Sequence, residues 1–407
     1  MAARTKATPA TEEQATAQRA LWLLIAAIFV VSLDSRVITP LLPAIAEEFD
    51  ASIGRAGLIV TAYLLPYGLF QLLYGPLADR VGRVRVISIA LGGFAVGAGL
   101  CAVTPDLNSL VGLRLITGIA AAAVFPLTLT YIGDTVAYDR RQEAIGYTIM
   151  ASSLGQVLSS AIGGFLAAAF SWRAIFAIDG LVALVITIAI LRQPLTRVRP
   201  SGVSRSAAAT YRVVLADRRH ILFYMLIFVE GAVTLGAFAY FGALLRERDG
   251  FSFTAIGVLV AIFGLGSLVF GRVVGRVARK IGERRMIAFG GTGVVVGYGI
   301  TTLQPAILFF SIAMVLMGST FMMMHSTLQT RATELAPTAR ATGISLFAFA
   351  LFLGSSLGAF LTAQSIDRLG YNETMLALGA VTAIFTAIMT VVILRFTEPH
   401  LEAVEAC

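Results

Sequence analysis

Long apolar runs dominate the chain and set its main pattern. Each run is about 20 residues long, the length that an α-helix needs to cross a lipid bilayer. Charged residues, or Pro and Gly, separate one run from the next. The pattern predicts an all-α membrane protein with twelve membrane-spanning helices. Their predicted starts lie near Leu21, Ala56, Val84, Leu107, Gln142, Arg173, Ile221, Phe253, Met286, Pro305, Thr338 and Tyr371.

The composition supports this interpretation and excludes several classes of protein. Of the 407 residues, 57% are hydrophobic and only 13% are charged, whereas about 25% are charged in an ordinary soluble domain. The sequence contains no Walker-type phosphate loop, CxxC pair or HExxH motif, so nucleotide-driven pumping and covalent chemistry are not expected. We predict a protein embedded in the lipid bilayer that is not an enzyme and holds no metal or cofactor.

The distribution of positive charge predicts the orientation in the membrane. The net charge is +8, which by itself would be compatible with a nucleic-acid partner. Cytoplasmic loops of membrane proteins carry an excess of Lys and Arg, and this chain has the same asymmetry, so no nucleic-acid partner is expected. We predict a multi-pass protein of the cell (inner) membrane with both termini in the cytoplasm. Of the 31 Lys and Arg residues, those in predicted external segments are Arg55, Arg173, Arg246, Arg248 and Arg368.

The longest polar connection, Arg192 to His220, divides the chain into two sets of six predicted helices. We predict a cytoplasmic tail (1–20), a first six-helix bundle (21–191), a cytoplasmic linker (192–220), a second bundle (221–396) and a second tail (397–407). The two halves repeat one another at an offset of about 200 residues. The stretch GPLADRVGRVRVI from Gly75 aligns without a gap with GRVARKIGERRMI from Gly275, and Gly118 aligns with Gly318.

Two short motifs resemble those of a known family. GPLADRVGRVR, between the second and third predicted helices, is similar to the signature of the major facilitator superfamily. RLITG, Arg114 to Gly118, resembles the fourth-helix motif of its proton-coupled exporters. The resemblance implies two six-helix bundles that rock about a central site near the bilayer midplane. In the drug:proton antiporter branch, the fifth helix carries Gly-Pro where this chain has Ser159 and Ser160.

The resemblance also implies a breakable closure at the cytoplasmic side. In the family, the aspartate of the loop motif accepts from the start of helix 11, here the region 338–343, where the helix dipole favours an anion. Arg83 would pair with Asp134 at the end of helix 4. These contacts would close the cytoplasmic side when the cavity faces outward. We assign to this latch Gly75, Asp79, Arg80, Gly82, Arg83 and Asp134.

Charges within the apolar runs point to the functional site. Asp34 and Arg36 are two residues apart and therefore lie on different faces of a helix, so each needs its own partner or water. Asp34 lies about 20 Å from one boundary of its helix. Arg114 lies about 10 Å from the opposite boundary of its own helix, in a membrane core of about 30 Å, so the two depths coincide. Glu230, near mid-depth in the second half, could pair with Arg36 or have no charged partner.

A buried carboxylate whose surroundings alternate can load and release a proton. We predict that Asp34 takes the proton and Arg114 modulates its affinity, the alternative being a static ion pair that braces two helices. Glu230 either binds a cationic substrate or carries a second proton. Asp179, in helix 6, has no assigned role. Candidate residues of the central cavity are Arg36, Tyr63, Tyr67, Gln71 and His325.

These observations predict a secondary active transporter that works by alternating access. We expect a monomeric proton-coupled exporter of small amphipathic or drug-like compounds, with protons as the coupling ion and a small molecule as substrate. Two alternatives stay open at this point. One is a symporter or facilitator for a sugar, amino acid or other metabolite, and the other is a non-transporting membrane receptor built on the same fold.

Overall fold

Twelve long helices make up most of the structure, a computed structural model that describes residues 9–193, 207–335 and 340–393. Within these ranges the secondary structure is helical, without a strand. A short helix, Ala207–Leu215, precedes the second half. The long helices are α1 (Pro9–Glu48), α2 (Ile53–Val81), α3 (Arg83–Cys101), α4 (Leu107–Thr135), α5 (Tyr138–Ala169), α6 (Arg173–Leu191), α7 (Arg218–Arg248), α8 (Phe253–Gly271), α9 (Glu283–Thr301), α10 (Ala306–Glu334), α11 (Arg340–Leu369) and α12 (Tyr371–Val392).

Eleven of these helices, in the described part of the chain, are long and apolar enough to cross a membrane. The exception is α9, which begins with Glu283, Arg284 and Arg285 and contains several glycines. It has the same length as α3, its counterpart in the first half, and packs between α10 and α12. The predicted all-α membrane fold is therefore confirmed, with eleven described helices that qualify as spans and α9 in the place of the remaining predicted one.

Several helix ends differ from the prediction. The helix α1 begins at Pro9, although the apolar run begins at Leu21. The polar segment before the run is therefore part of the same helix. The helix α7 is not regular. Its first α-helical part ends at Glu230, and π-helical turns follow at Gly231–Gly236 and Leu244–Arg248, with a short α-helical piece, Phe241–Ala243, between them. Such π-bulges occur frequently at functional sites.

The internal repeat is visible in the helix contacts. A Cβ atom added to Gly118 would collide with the backbone oxygen of Tyr63, and one added to Gly318 would collide with that of Phe263. Both partners are again 200 residues apart. The loops after α2 and before α9 each turn at a glycine with positive φ, Gly82 at 102° and Gly282 at 79°, which a residue with a side chain rarely adopts.

The two bundles touch along α2 and α11 and along α5 and α8. We call the end of the molecule that holds the Gly82 loop the motif end, and the opposite end, where α1 finishes at Glu48, the far end. Near the far end, α1 and α7 approach so closely that a Cβ atom on Gly242 would collide with the backbone of Thr39. The bundles are therefore in close contact at the far end.

Candidate functional site

A buried ion pair joins α1 to α4 inside the first bundle. Nη1 of Arg114 donates to both carboxylate oxygens of Asp34, at 2.8 and 2.9 Å. The exposed fractions are 1% for Arg114 and 0% for Asp34. The predicted coincidence of depth therefore corresponds to direct contact. Since neither group reaches water, each depends on the other for its charge to be tolerated.

Aromatic rings enclose the guanidinium of Arg114. Its central carbon lies 4.1 Å from the centre of the Tyr63 ring and 5.4 Å from that of Phe176. The Nε atom of Arg114 and the hydroxyl of Tyr63 are buried without a hydrogen-bond partner. The pair therefore lacks the full set of hydrogen bonds that a purely structural ion pair would need.

Two stacked tyrosines connect the ion pair to the interface between the bundles. Tyr63 and Tyr67 stack with ring centres 5.8 Å apart, and Tyr67 contacts Phe352 of the second bundle edge-on at 4.6 Å. Gln71 continues the stripe one turn further on and interacts with Tyr67. A change at Arg114 can thus reach the bundle interface through two side chains.

Asp179 of α6 belongs to the same cluster, which the sequence did not reveal. It is buried, with one carboxylate oxygen lacking a hydrogen-bond partner, and it lies close enough to Asp34 and Arg114 to interact with them electrostatically. The one available signal was its position as a single acid in the apolar helix RAIFAIDGLVALV. The cluster therefore holds two carboxylates and one guanidinium.

A second buried dyad lies in the other bundle. Nδ1 of His325 and Oε1 of Glu230 are 2.9 Å apart. Glu230 is fully buried, and its second oxygen has no partner. His325 is 16% exposed and stacks on Phe321 with ring centres 4.9 Å apart. Sequence reasoning selected both residues as separate candidates but did not pair them.

Arg36 is not paired with Glu230, which was one of the two predicted arrangements. Glu230 contacts His325 instead, and the guanidinium of Arg36 lies 5.0 Å from the ring of Phe238 on α7. The reason is position along α7, because Phe238 lies beyond the π-helical turn Gly231–Gly236 and near the part of α7 that contacts α1, whereas Glu230 lies before that turn.

The loop motif forms a charge network within the first bundle. Arg83 pairs with Asp134 and also contacts Asp79 at 3.4 Å. The side chain of Asp79 is 44% exposed, and Gly75 and Arg80 are exposed as well. The predicted partner segment at the start of α11 lies partly outside the described residues. The second bundle carries a related network, in which Arg331 contacts Glu283 and Glu334.

The altered fifth-helix motif has a structural role beside the ion pair. The hydroxyl of Ser159 donates to the backbone oxygen of Leu33 at 2.5 Å, one residue before Asp34. A Cβ atom on Gly155 would meet Phe29 and Ser32, so α5 lies directly against α1 there. The serine therefore fixes α5 to the stretch of α1 that carries the buried acid.

Polar contacts between the bundles form a lock at the far end. Asp367 of α11 accepts from the Ser52 hydroxyl at 2.8 Å and from the Gly54 backbone N–H at 3.0 Å. Nε of Arg246 on α7 donates to Glu47 of α1 at 2.8 Å. We call these five residues the far-end lock. They hold the two bundles together on the side away from the loop motif.

Comparison with known proteins identifies the family. The model for the Major Facilitator Superfamily matches residues 24–359 and 238–405, which together cover most of the chain. The chain belongs to the major facilitator superfamily. It is thus a multi-pass membrane protein of a transporter family, and the sequence-based recognition of that family is confirmed.

Relatives of this superfamily member align over nearly the whole chain. The MFS-type transporter YceJ of Bacillus subtilis is 28% identical over 375 residues, covering 91% of this chain and 93% of YceJ. MdtD of Yersinia enterocolitica, named for multidrug resistance, is 24% identical and covers 87% of this chain and 88% of its own length.

Solved structures of the superfamily share the fold. The nucleoside transporter NupG superposes with a TM-score of 0.77 at 13% identity, covering 92% of this chain and 98% of NupG. The xylose transporter XylE from E. coli gives 0.72 at 16% identity, covering 92% of this chain and 95% of XylE. At these identities the likeness shows the fold alone.

In this superfamily member we expect Asp367→Ala to open the far end. Losing two hydrogen bonds to a carboxylate, each worth about 1.5–3 kcal/mol, shifts the ratio of open to closed far ends by roughly 100-fold or more, at about 1.4 kcal/mol per factor of ten. Spin labels at Arg55→Cys and Arg368→Cys, one in each bundle, report the separation by double electron–electron resonance. The longer distances gain population in the variant.

A matched control removes an acid from the same end without touching the lock. Glu373 is exposed on α12 within the second bundle, so Glu373→Ala should leave the distance distribution unchanged. An unchanged distribution in Asp367→Ala would mean that the remaining contacts, the Arg246–Glu47 pair and the packing of Gly242 against Thr39, are enough to close the far end.

Proposed function

We propose that this protein is a secondary active transporter that works by alternating access and exports small amphipathic or drug-like compounds in exchange for protons. The observation that carries the proposal is the buried Asp34–Arg114 pair, which Tyr63 and Tyr67 link to the bundle interface. Charged groups at membrane depth typically mark ion or substrate pathways. The name of the relative MdtD supports export of drug-like compounds.

Protonation of Asp34 is the step that couples the gradient to movement. When Asp34 accepts a proton, its carboxylate charge disappears and the hold on the Arg114 guanidinium weakens. Arg114 then shifts relative to Tyr63, whose ring lies 4.1 Å away, and Tyr67 transmits the shift to Phe352. Deprotonation on the other side of the membrane restores the pair and the starting arrangement.

The proposed orientation places the motif end at the cytoplasm, with both termini there, in the cell (inner) membrane. The excess of Lys and Arg in the segments of that end supports it. The present state, with the far-end lock formed, then faces the cytoplasm. In the outward-facing state the loop residue Asp79 would hold the start of α11 and close the motif end, while Arg83 pairs with Asp134.

Proton symport or passive facilitation of a metabolite is the second candidate. Ser159 and Ser160 occupy the place where the antiporter branch carries Gly-Pro, and Ser159 fixes α5 to α1 by a hydrogen bond. A fifth helix that is held to the first helix in this way supports assignment to a carrier outside the drug:proton antiporter branch.

Proton release from everted membrane vesicles tests the proposal. The vesicles are acidified by respiration, and a pH-sensitive acridine dye reports the gradient while a panel of amphipathic cations, anions and neutral compounds is added. If the protein exports one class of compound, addition of that class discharges the proton gradient, and the dye signal of vesicles without the protein does not change. Transport that persists at an equal rate after nigericin collapses the gradient would overturn proton coupling and favour a facilitator.

A further inference from the structure

Arg36 differs from the other charges at mid-depth because it has no charged partner. Asp34 is bound to Arg114 and Glu230 to His325. The guanidinium of Arg36 lies over the ring of Phe238, and within the described ranges no hydrogen bond or ion pair joins it to another residue. Its side chain is half-buried. A cation–π contact uses the face of the guanidinium and leaves its N–H edge free.

An unpaired guanidinium at this depth indicates a bound anion or water. Arginine stays charged in proteins, and a charge inside a membrane is costly unless it faces a partner or a wet cavity. The two nearby acids of the site are already engaged. The five N–H donors of a guanidinium match the oxygens of a carboxylate, sulfate or phosphate.

Arg36 lies between the two bundles, close to their contact at the far end. One turn further along α1, the backbone of Thr39 is in contact with Gly242 of α7, and beyond that the far-end lock joins the bundles. A molecule that passed between the bundles from the motif end would therefore meet Arg36 just before the contacts that close the far end.

A row of rings extends from Arg36 into the second bundle. Phe238 lies 4.8 Å from Phe263, and Phe263 lies 5.8 Å from Phe321, measured between ring centres. Phe321 stacks on His325, which lies 5.3 Å from Phe347. We call these five residues the aromatic row. Phe263 and His325 are half-buried, whereas Phe238, Phe321 and Phe347 are buried, so the row presents a partly exposed apolar surface beside the one cation of the described mid-depth region that has no charged partner.

We propose that Arg36 binds the anionic group of an amphipathic cargo, a carboxylate, sulfate or phosphate, whose apolar or aromatic body lies along the aromatic row. The proposal deepens the proposed transport function and rests on it. It changes the expected chemistry of the cargo, because Asp34 and Glu230 are both engaged, whereas the free charge is positive. Amphipathic anions therefore fit this site better than lipophilic cations.

Three probes with one shared ring system test the site. They are 2-naphthoate, 2-naphthamide and 2-naphthylmethylammonium, added separately to the purified full-length protein while its melting temperature is measured. We expect naphthoate to stabilise the wild type most, since a ligand stabilises the state that it binds. In Arg36→Gln the Kd for naphthoate should rise by roughly 10- to 100-fold, to the level of naphthamide.

Two further variants control the measurement. Arg55→Gln removes an exposed arginine at the far end and should leave the preference for naphthoate intact. Arg36→Lys keeps the positive charge but loses the two parallel N–H donors of the guanidinium, so it should retain part of the preference for naphthoate. If Arg36→Gln does not fold, Arg36→Lys is the variant that tests the proposal. The proposal is overturned if the preference survives undiminished in Arg36→Gln, or if the ammonium probe stabilises the wild type most.

The anionic group could belong to a soluble compound or to a lipid headgroup, and competition separates the two sources. In nanodiscs, phosphatidylglycerol that displaces naphthoate from the wild type indicates a lipid source, whereas no displacement indicates a soluble cargo. The outcome is also separable from that of the proposed function. If the wild type binds naphthoate through Arg36 but shows no gradient-driven transport, the binding site stands and proton coupling fails.

Discussion

Asp34→Asn is expected to abolish transport driven by a pH gradient. Asparagine keeps an oxygen that can accept from Arg114, 2.8 Å away in the wild type, but it cannot take up a proton. The variant therefore resembles a permanently protonated Asp34 and has nothing to exchange with the gradient. The measurement is the initial rate of dye-reported proton release from everted vesicles.

The same variant should still exchange substrate without a gradient. Exchange of labelled for unlabelled substrate across reconstituted vesicles requires the bundles to move but no net proton transfer, so we expect it to be largely retained. Asp139→Asn, an exposed aspartate on α5, serves as the matched control and should behave like the wild type. Equal gradient-driven rates in Asp34→Asn and the wild type would remove Asp34 from the coupling mechanism.

Asp179 explains why Asp34→Asn is expected to fold. Removing one partner of a buried pair usually costs roughly 3–5 kcal/mol, because the remaining charge is left uncompensated. Here Arg114 retains a second acid close by, the buried Asp179 of α6. The cluster then changes from two acids and one cation to one of each, which is neutral. Loss of the Asp34 charge is thus tolerated in this site.

The fold was predictable because membrane helices satisfy strong local constraints. Runs of apolar residues fix the number of spans, and the offset between Gly82 and Gly282 revealed the repeat before their positive φ values were known. The limits of α1 and the π-helical turns of α7 were not predictable. Hydropathy indicates which residues lie in lipid, but helix α1 also includes the polar residues Pro9–Arg19. Hydropathy does not report the backbone hydrogen-bond spacing either, which changes at Gly231–Gly236 of α7.

A contact in the site was predictable from the sequence only where the depth of two residues in the membrane is enough to place them together. Asp34 and Arg114 enter from opposite boundaries and reach the same depth, and their helices touch. The pairing of Glu230 with His325 and the position of Arg36 over Phe238 depend on the rotation of α7 about its axis. The π-helical turn Gly231–Gly236 changes that rotation between Glu230 and Phe238. The periodicity of apolar residues in the sequence does not reveal this change.

Glu230→Gln is also expected to lower transport driven by a pH gradient strongly, and the burial of Glu230 supplies the reason. Glu230 has no exposed surface, so a substrate in the cavity does not touch its carboxylate directly. One oxygen contacts His325 at 2.9 Å and the other has no partner. A group in this position acts by gaining or losing a proton, and glutamine keeps the contact while removing that capacity.

The outcome decides between the two roles that the sequence left open for Glu230. If the residue carries a proton, Glu230→Gln loses gradient-driven transport but binds tetraphenylphosphonium, a lipophilic cation, with the same thermal shift as the wild type. If it binds cationic cargo, the thermal shift disappears while transport of neutral compounds continues. Glu143→Gln, an exposed glutamate hydrogen-bonded to Tyr147 on α5, is the matched control and should change neither readout. Because the burial of Glu230 separates it from the cavity, the structure favours the first outcome.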